Sequence, residues 1–397
     1  MSQKNKKYLV IIGDGIPGWS IASLNNKTTL EAANSPNLDF LAQHGTMGLA
    51  HHVPKGYKPG SDVANLSIFG YAPQKYYTGR APIEAISQGI DLLDTDIVAR
   101  ANLVSIQNNK MQDFTAGHID TKSAHQWMNI LNNNLQSEFP EITFYGGVSY
   151  RNLMKVTNSQ NIPETTPPHD ITGKQIDSYL PEGTKSNLFN SVMKRAKNIM
   201  ANNILPTSKK ELSKANAVWL WGAGKKISLP SFKDLFGLQA AVISAVDLIK
   251  GIGLASGLNY IEVPGITGFV DTNFKGKAEY ALNALEKYDL VFIHLEAADE
   301  SGHIGDADLK IKSIELIDQK VIGTILKDKR YKDLNILFTP DHATPIETKT
   351  HSMDSVPWII YRRDDKQEGS NSYSEKEAAK TGIVLGNGTK LIREFLQ

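Results

Sequence analysis

Residues of the types that bind metal ions occur in short motifs near both ends of this chain, together with one serine in a turn-like segment. The set consists of Asp14 in IIGDG, Ser61 in PGSDVAN, Asp299 and His303 in DESGH, and Asp341, His342 and His351 in PDHATPIETKTH. Carboxylate oxygens and imidazole nitrogens suit Zn, Mn, Co or Mg, and spacing alone does not select among these metals. Three Asp, three His and one Ser provide for two metal shells and a nucleophile, so the set predicts a binuclear site.

Ser61 lies where an irregular loop, KPGSD, meets a predicted helical segment. A serine at that position can place its oxygen at the helix N-terminus, where anions are favoured, or it can be a plain N-cap. Two divalent ions nearby favour the nucleophile, because a metal makes an alkoxide accessible near neutral pH without a general-base triad. By the same reasoning, any single Asp at a strand end could be a turn cap and any single His an ordinary polar residue.

Alternating apolar and helical segments provide the elements that must position these residues. Apolar runs with a polar group at the carboxyl end occupy 8–12, 217–222, 289–295 and 335–342. Helical segments are predicted at 28–45, 247–253, 277–288 and 308–328. This alternation favours an α/β fold with a mostly parallel sheet and helices on both faces, in which sites form at the carboxyl ends of the strands. The Asp residues of the set lie at such ends, so we expect them to converge.

The middle of the chain has a different character. Residues 158–183 are rich in Pro and Thr and have no sustained period, two strands are predicted around Gly-Gly in 142–156, and helical runs are predicted at 123–138 and 186–204. We therefore predict a discontinuous metal-binding core domain and an inserted smaller α+β domain. The core comprises 1–102 and 216–397, and the insertion comprises 103–215.

The composition excludes several classes of protein. The 397 residues include 43 Lys and Arg against 42 Asp and Glu, so no global basic surface indicates a nucleic-acid or membrane partner. Cysteine is absent, which excludes disulfides, thiolate metal sites and Cys nucleophiles. The N-terminal apolar run is too short for a signal peptide, and no run reaches the length of a membrane span, so we expect a cytoplasmic protein. The oligomeric state stays open, and a homo-oligomer is compatible with the sequence.

A charge count indicates what else the site needs. Two divalent ions, three Asp carboxylates and a serine alkoxide are together near neutral, so binding a phosphate dianion calls for further cationic or hydrogen-bonding groups. The candidates are His118 in TAGH, Arg151 in SYRN, His169 and Asp170 in PPHD, and Lys225 in WGAGK. Each of these taken singly could equally be a surface ion pair or a solvated residue.

Nearly the whole chain resembles a known family. The motifs GDG, PGSDVANLSIFGY, YYTGRAPIEA, EAADESGHIGD and TPDHATP…TKTHS occur in the expected order, with AGHID, YGGVSYRNL, PPHDITGK, LWGAGK and VPGITGFVDTN between them. They resemble the archaeal-type, cofactor-independent phosphoglycerate mutases of the alkaline phosphatase superfamily. One departure is Ala298, where the family's acidic motif has Pro.

The resemblance implies an alkaline-phosphatase-like α/β/α sandwich and assigns roles by motif. Ser61 resembles the phosphorylated nucleophile. The shell of one metal in the family matches Asp14, Ser61, Asp341 and His342 of this chain. The shell of the other metal matches Asp299, His303 and His351. The substrate-cleft segments of the family match those that contain His118, Arg151, His169, Asp170 and Lys225.

The implied activity is the interconversion of 3-phosphoglycerate and 2-phosphoglycerate, a glycolytic and gluconeogenic step, through a phosphoserine. It implies a small phosphorylated substrate, two divalent ions (Mn, Zn, Mg or Co) and no 2,3-bisphosphoglycerate. It also implies that the inserted domain, 103–215, binds substrate and acts as a lid, with hinges near 103 and 216. Alternatives on the same scaffold are a homoserine kinase-like phosphotransferase, a phosphomonoesterase and a non-catalytic scaffold. The chain has no Walker-type phosphate loop, which argues only weakly against ATP.

Overall fold

The computed structural model describes residues 6–159, 161–184, 186–203, 205, 214–364 and 368–397. The chain forms two compact units. Unit 1 comprises Met1–Tyr77 and Ser228–Gln397, and unit 2 comprises Thr78–Ile227. Among the described residues no helix is both long enough and apolar enough to cross a bilayer.

The strands are β1 (Lys7–Gly13), β2 (Thr46–Ala50), β3 (Ile97–Gln107), β4 (Lys110–Asp113), β5 (Ile142–Val148), β6 (Arg151–Val156), β7 (Ala217–Lys225), β8 (Ala240–Ile243), β9 (Asn259–Tyr260), β10 (Leu290–Leu295), β11 (Leu334–Thr339), β12 (Val356–Arg362) and β13 (Val384–Leu385). The helices are α1 (Thr29–Ala32), α2 (Pro36–Gln43), α3 (Ser61–Ile68), α4 (Pro73–Tyr76), α5 (Arg80–Ser87), α6 (Thr121–Leu135), α7 (Ser186–Ala201), α8 (Phe232–Phe236), α9 (Asp247–Ala255), α10 (Phe274–Ala284), α11 (Ala297–Ile304), α12 (Ala307–Leu316), α13 (Gly323–Lys327), α14 (Glu375–Lys380) and α15 (Thr389–Phe395). A π-helical turn, Ile317–Ile322, joins α12 to α13.

Unit 1 is built on an eight-stranded sheet in the order β13-β2-β12-β11-β1-β10-β8-β9. The five strands from β11 to β9 are parallel, β12 is antiparallel to both of its neighbours, and β13 is parallel to β2. The predicted α/β class with a mostly parallel sheet is therefore confirmed. Strand β1 has β10 and β11, from the far end of the chain, as its two neighbours.

Helices cover both faces of this sheet, which explains the continuous apolar run of β1. Leu9 and Ile11 belong to a fully buried cluster with side chains of α2, α10 and the π-helical turn. On the opposite face, Phe292 of β10 stacks on Phe69, which caps α3, with ring centroids 4.0 Å apart. A strand buried on both faces needs apolar residues at every position, so period-two alternation is lost.

Unit 2 contains a five-stranded antiparallel sheet in which β3 pairs with β4, β6 and β7, and β6 pairs with β5. Its core includes the fully buried Trp127 of α6 and Trp219 of β7. The predicted grouping of 217–222 with the parallel strands was wrong, because β7 runs antiparallel to β3. The division of the chain near 103 and 216 stays a prediction; β3 is one unbroken strand across the first of these positions.

Truncation in β1 tests the importance of the central strand. We expect Ile11→Ala to lower the free energy of unfolding by about 2–5 kcal/mol, because Ile11 has no exposed surface and its loss leaves a cavity. Val384→Ala, at a 55% exposed position of β13, is the control and should change it by less than about 0.5 kcal/mol. Urea titration measures the free energy of unfolding of both variants. Equal losses in Ile11→Ala and Val384→Ala would contradict the burial of Ile11.

Candidate metal centre

The carboxyl edge of the parallel strands of unit 1 gathers acidic residues from distant parts of the chain. Asp14 follows β1 directly, Asp299 lies in the first turn of α11 after β10, and Asp341 follows β11. The backbone N–H of Gly15 donates to Asp341 Oδ1 at 3.2 Å, and the N–H of Thr344 donates to the carbonyl of Pro17 at 3.0 Å. These bonds hold the GDG turn against the segment that follows β11.

One group of ligand atoms comes from α11 and the segment after β11. Asp299 and His303 are four residues apart on one helical face, and His303 Nε2 lies 3.1 Å from Asp299 Oδ2. His351 Nε2 lies 3.5 Å from Asp299 Oδ1 and 3.0 Å from His303 Nε2. Two ring nitrogens and a carboxylate therefore face one point, an arrangement that can hold a metal ion.

A second group surrounds Ser61, the first residue of α3, whose side chain is buried. Its Oγ lies 3.1 Å from His342 Nε2, and that nitrogen is 3.6 Å from Asp14 Oδ1 and 3.4 Å from Asp341 Oδ2. Asn65, one turn along α3, donates to the carbonyl of Ser61 at 2.8 Å and to Asp341 Oδ2 at 2.9 Å. Asn65 thus fixes the serine relative to the carboxylate.

The structure brings together all seven residues that the sequence singled out for metal binding and nucleophilic attack, and their roles stay predictions. The distances quoted between facing ligand atoms run from 3.0 to 3.6 Å. Atoms bound to one ion at about 2.0–2.2 Å stand about 2.8–3.6 Å apart at octahedral or tetrahedral angles. The buried Asp14 Oδ1 makes no hydrogen bond to any described residue, so the donor set fits divalent ions.

Buried carboxylates perturb one another in this centre. Burial, and then the charges of Asp341 and Asp299, raise the pKa of Asp14 well above its usual range. Burial alone would also raise the pKa of Asp299, but His303 and His351 hold it well below its usual range. Burial opposes the protonation of His303, yet the Asp299 carboxylate raises the pKa of that imidazole to about 9. Positive charge, from protons or metal ions, is therefore what this centre requires.

The three predicted histidines share one orientation. His303 Nδ1 lies 2.9 Å from the carbonyl of Lys349, His351 Nδ1 lies 3.4 Å from the carbonyl of Pro59, and His342 Nδ1 lies 3.4 Å from Thr344 Oγ1. With the proton on Nδ1, each Nε2 keeps its lone pair directed toward the carboxylates. An oxygen partner of this kind fixes both the tautomer and the ring orientation of a metal-binding histidine.

Several residues of this centre were missed from the sequence. They are Asn65, His294, Lys310 and Thr344. Lys310 is fully buried in α12, where its Nζ donates to the carbonyls of Pro17 at 3.1 Å and Thr344 at 2.7 Å. It therefore fastens the loop after β1 to the loop after β11, and burial lowers its pKa to about 8. Only His294, a histidine inside an apolar strand segment, left a signal in the sequence.

The five substrate-binding candidates all belong to unit 2. His169 lies in a 3-10 turn, Pro168–Ile171, with its ring centroid 5.4 Å from that of Trp221 and 5.9 Å from that of Phe114. Phe114 in turn lies 5.9 Å from Tyr150.

Tyr150 forms the other end of this aromatic group. Arg151 donates from Nε to the hydroxyl of Tyr150 at 3.2 Å, and the ring of His118 is 6.5 Å from the ring of Tyr150. Asp170 is exposed beside His169, and their closest N–O distance is 3.7 Å. Three of the five candidates, His118, Arg151 and His169, therefore border one aromatic group, and Asp170 lies beside His169. Lys225 lies at the end of β7, where its carbonyl accepts from Thr78 Oγ1.

Gly15 offers a test of how tightly the centre is packed. It has φ +63°, and a Cβ there would stand 2.5 Å from Asp299 Oδ1 and 2.7 Å from its Cα. We expect Gly15→Ala to cost the ~1–2 kcal/mol of a left-handed alanine and also to displace Asp299, so that bound metal is lost. Gly237→Ala is the matched control, since φ is +72° and nothing lies within 4 Å. Urea unfolding and elemental analysis give both readouts; a Gly15→Ala protein with full metal content would refute the packing argument.

Comparison with known proteins identifies the family of this chain. Residues 42–205 match the family model described as 2,3-bisphosphoglycerate-independent phosphoglycerate mutase. The chain is 44% identical over 385 residues to the enzyme of that name from Methanosarcina acetivorans, covering 95% of this chain and 96% of the relative. It is 41% identical over 400 residues to a probable enzyme of the same name from Geobacter sulfurreducens, covering 98% of this chain and 99% of the relative.

Solved structures show the same architecture. A Pyrococcus horikoshii protein superposes with a TM-score of 0.79 at 28% identity, covering 99% of this chain and 97% of the other. The cofactor-independent phosphoglycerate mutase of Thermoplasma acidophilum superposes with a TM-score of 0.62 at 23% identity, covering 99% and 100%, and so shares the fold. On the identity and coverage of its relatives, this chain belongs to the family of 2,3-bisphosphoglycerate-independent phosphoglycerate mutases.

Proposed function

We propose that this protein interconverts 3-phosphoglycerate and 2-phosphoglycerate through a phosphoserine at Ser61, without 2,3-bisphosphoglycerate. The observation that carries the proposal is the position of Ser61 Oγ, 3.1 Å from His342 Nε2 in a buried set of metal-ligand side chains. The family's curated relatives bear the name of this activity. The cytoplasmic location expected from the sequence is part of the same proposal.

The donor set supports the binding of two ions. Asp299, His303 and His351 would hold one, and Asp14, Ser61, Asp341 and His342 would hold the other. When bound, divalent ions supply charge that offsets the carboxylates, favours the serine alkoxide and stabilises phosphoryl oxygens. The mixture of imidazole and carboxylate ligands suits Mn, Zn or Co. Mg, which prefers oxygen ligands, is compatible with the carboxylates.

The chain's own residues provide the nucleophile and its alignment. Ser61 Oγ, as the alkoxide, attacks the phosphorus of 3-phosphoglycerate, so that a P–Oγ bond forms as the bond from phosphorus to the substrate 3-oxygen breaks, and the 3-oxygen takes up a proton. The substrate 2-hydroxyl then gives up a proton as its oxygen bonds to phosphorus and the P–Oγ bond breaks, which regenerates the Ser61 alkoxide and leaves the proton count unchanged. Asn65 holds the backbone of Ser61 during both transfers, and such positioning is the main contribution a protein makes to phosphoryl transfer.

The remaining candidates would recognise the glycerate. The planar guanidinium of Arg151 suits a carboxylate, and His118, His169, Asp170 and Lys225 provide hydrogen bonds and charge. The predicted lid role of 103–215 belongs to this proposal, because a phosphoserine open to water would hydrolyse.

Removal of the nucleophile tests the covalent route. We expect Ser61→Ala to lower mutase turnover by at least ~10⁴-fold, because the acceptor atom itself is lost. Ser67→Ala is the matched control: Ser67 is a buried serine six residues along the same helix, and its Oγ donates to the carbonyl of Val63 at 3.4 Å. A coupled assay measures turnover, and mass spectrometry of acid-quenched wild type should find phosphate on the peptide that contains Ser61.

The same assays separate the rival activities. Homoserine with ATP tests the kinase alternative, and release of inorganic phosphate from 3-phosphoglycerate tests the phosphomonoesterase. Full mutase turnover in Ser61→Ala, or phosphate release that outpaces isomerisation in wild type, would overturn the proposed route.

A further inference from the structure

His294 lies among the candidate ligands of unit 1, although neither the sequence motifs nor the resemblance assigns it a role. It is in β10, next to the strand's last residue, and is 1% exposed. Its Nε2 lies 3.0 Å from Asp14 Oδ2, and Asp14, His294 and Asp341 form a group of ligand atoms that could hold an ion. The imidazole therefore faces the same carboxylates as His342 does.

Two atoms at this point have no hydrogen-bond partner among the described residues. They are His294 Nε2 and Asp14 Oδ1, and both are fully buried. Although His294 Nε2 and Asp14 Oδ2 are close, their alignment does not make a hydrogen bond. A buried polar atom without a partner destabilises the folded state, and a ligand bound between these two atoms would remove that cost.

The 3.0 Å separation instead suits two atoms that bind one ion. Ligands at about 2.0–2.2 Å from an ion stand about 2.8–3.6 Å apart. The same range contains the distances from His342 Nε2 to Asp14 Oδ1 and to Asp341 Oδ2, which are 3.6 and 3.4 Å. His294 therefore repeats the geometry of the imidazole already assigned to this ion.

The other side of the ring also follows the pattern of the assigned histidines. His294 Nδ1 lies 3.5 Å from Ser244 Oγ, which accepts the N–H of Val246 at 2.9 Å and so is itself fixed. A proton on Nδ1 can point to this oxygen, just as a proton on Nδ1 of each of the three predicted histidines can point to a neighbouring oxygen. The buried Lys277 donates from Nζ to the carbonyl of His294 at 2.9 Å, which anchors the backbone beneath the ring.

We propose that His294 is a further ligand of the ion held by Asp14 and Asp341, so that this ion has two imidazoles. The proposal rests on the proposed function only in requiring that the centre hold metal ions. A neutral imidazole adds a ligand without adding negative charge, so the charge balance around Ser61 is unchanged. Two nitrogen ligands favour Zn, Mn or Co over Mg at this position.

Proton NMR of the Co²⁺-loaded full chain tests the assignment directly. Each imidazole bound through Nε2 has an Nδ1 proton that the paramagnetic ion shifts far from the ordinary range and that disappears in D₂O. We expect such signals from four histidines in the wild type, and the loss of one of them in His294→Asn. Ser244→Ala should shift that same signal and leave the other three in place.

His52→Asn is the matched control. His52 is a buried histidine of unit 1 with Nε2 bonded to Thr339 Oγ1 at 2.9 Å, and it belongs to none of the ligand groups. This variant should keep all four signals. In competition with a chelator, His294→Asn should bind one of its two ions at least ~10–100-fold more weakly than wild type, the loss expected from removing even an indirect partner.

The outcomes separate this proposal from the proposed function. Three signals in wild type, all of them retained in His294→Asn, would overturn His294 as a ligand while leaving the metal centre and the mutase in place. No shifted signals in wild type, with no bound metal, would overturn both. If His294→Asn does not fold, the wild-type count and the effect of Ser244→Ala still decide the assignment.

Discussion

Three buried carboxylates repel one another at the carboxyl edge of the unit 1 sheet, and the surrounding side chains are arranged around this repulsion. Asp14, Asp299 and Asp341 are 1–5% exposed and close enough to raise the pKa of Asp14 well above its usual range. Burying like charges together is unfavourable unless cations or fixed hydrogen-bond donors compensate. The compensating groups here are the imidazoles around the carboxylates, and the N–H of Gly15 and the amide of Asn65, which both donate to Asp341. The parallel sheet makes the cluster unavoidable, because it brings the carboxyl ends of its strands to one edge.

Much of this arrangement was predictable from local sequence. Strand β1 and the strands beside it are continuous apolar runs, and a polar residue directly after such a run must lie at the carboxyl edge. That reasoning placed Asp14 and Asp341, and the four-residue spacing in α11 placed Asp299 with His303. The same reasoning could not predict the direction of β7, because a buried strand needs apolar residues whether it is parallel or antiparallel to its neighbour. Its partner β3 is chosen by tertiary contacts that the segment itself does not encode.

The residues that were missed share a physical reason. Asn65 and Lys310 act through bonds to backbone atoms and carboxylates far away in sequence, so their neighbours along the chain carry no trace of the role. Lys310 has the sequence environment of any helical lysine, yet it is fully buried between two loops. His294 stands inside an apolar strand, where a satisfied polar residue is the ordinary interpretation. Only the three-dimensional positions of its two ring nitrogens distinguish it.

The strand order of unit 1 has a consequence for biosynthesis. Strand β1 emerges from the ribosome before both of its neighbours, which begin at Leu290 and Leu334. At a synthesis rate of about 5–20 residues per second, β10 and β11 follow β1 after an interval on the order of tens of seconds. During this interval both edges of β1 lack these partners. A chain interrupted before β10 and β11 lacks both partners of β1, and its Asp14 has neither Asp299 nor Asp341 beside it.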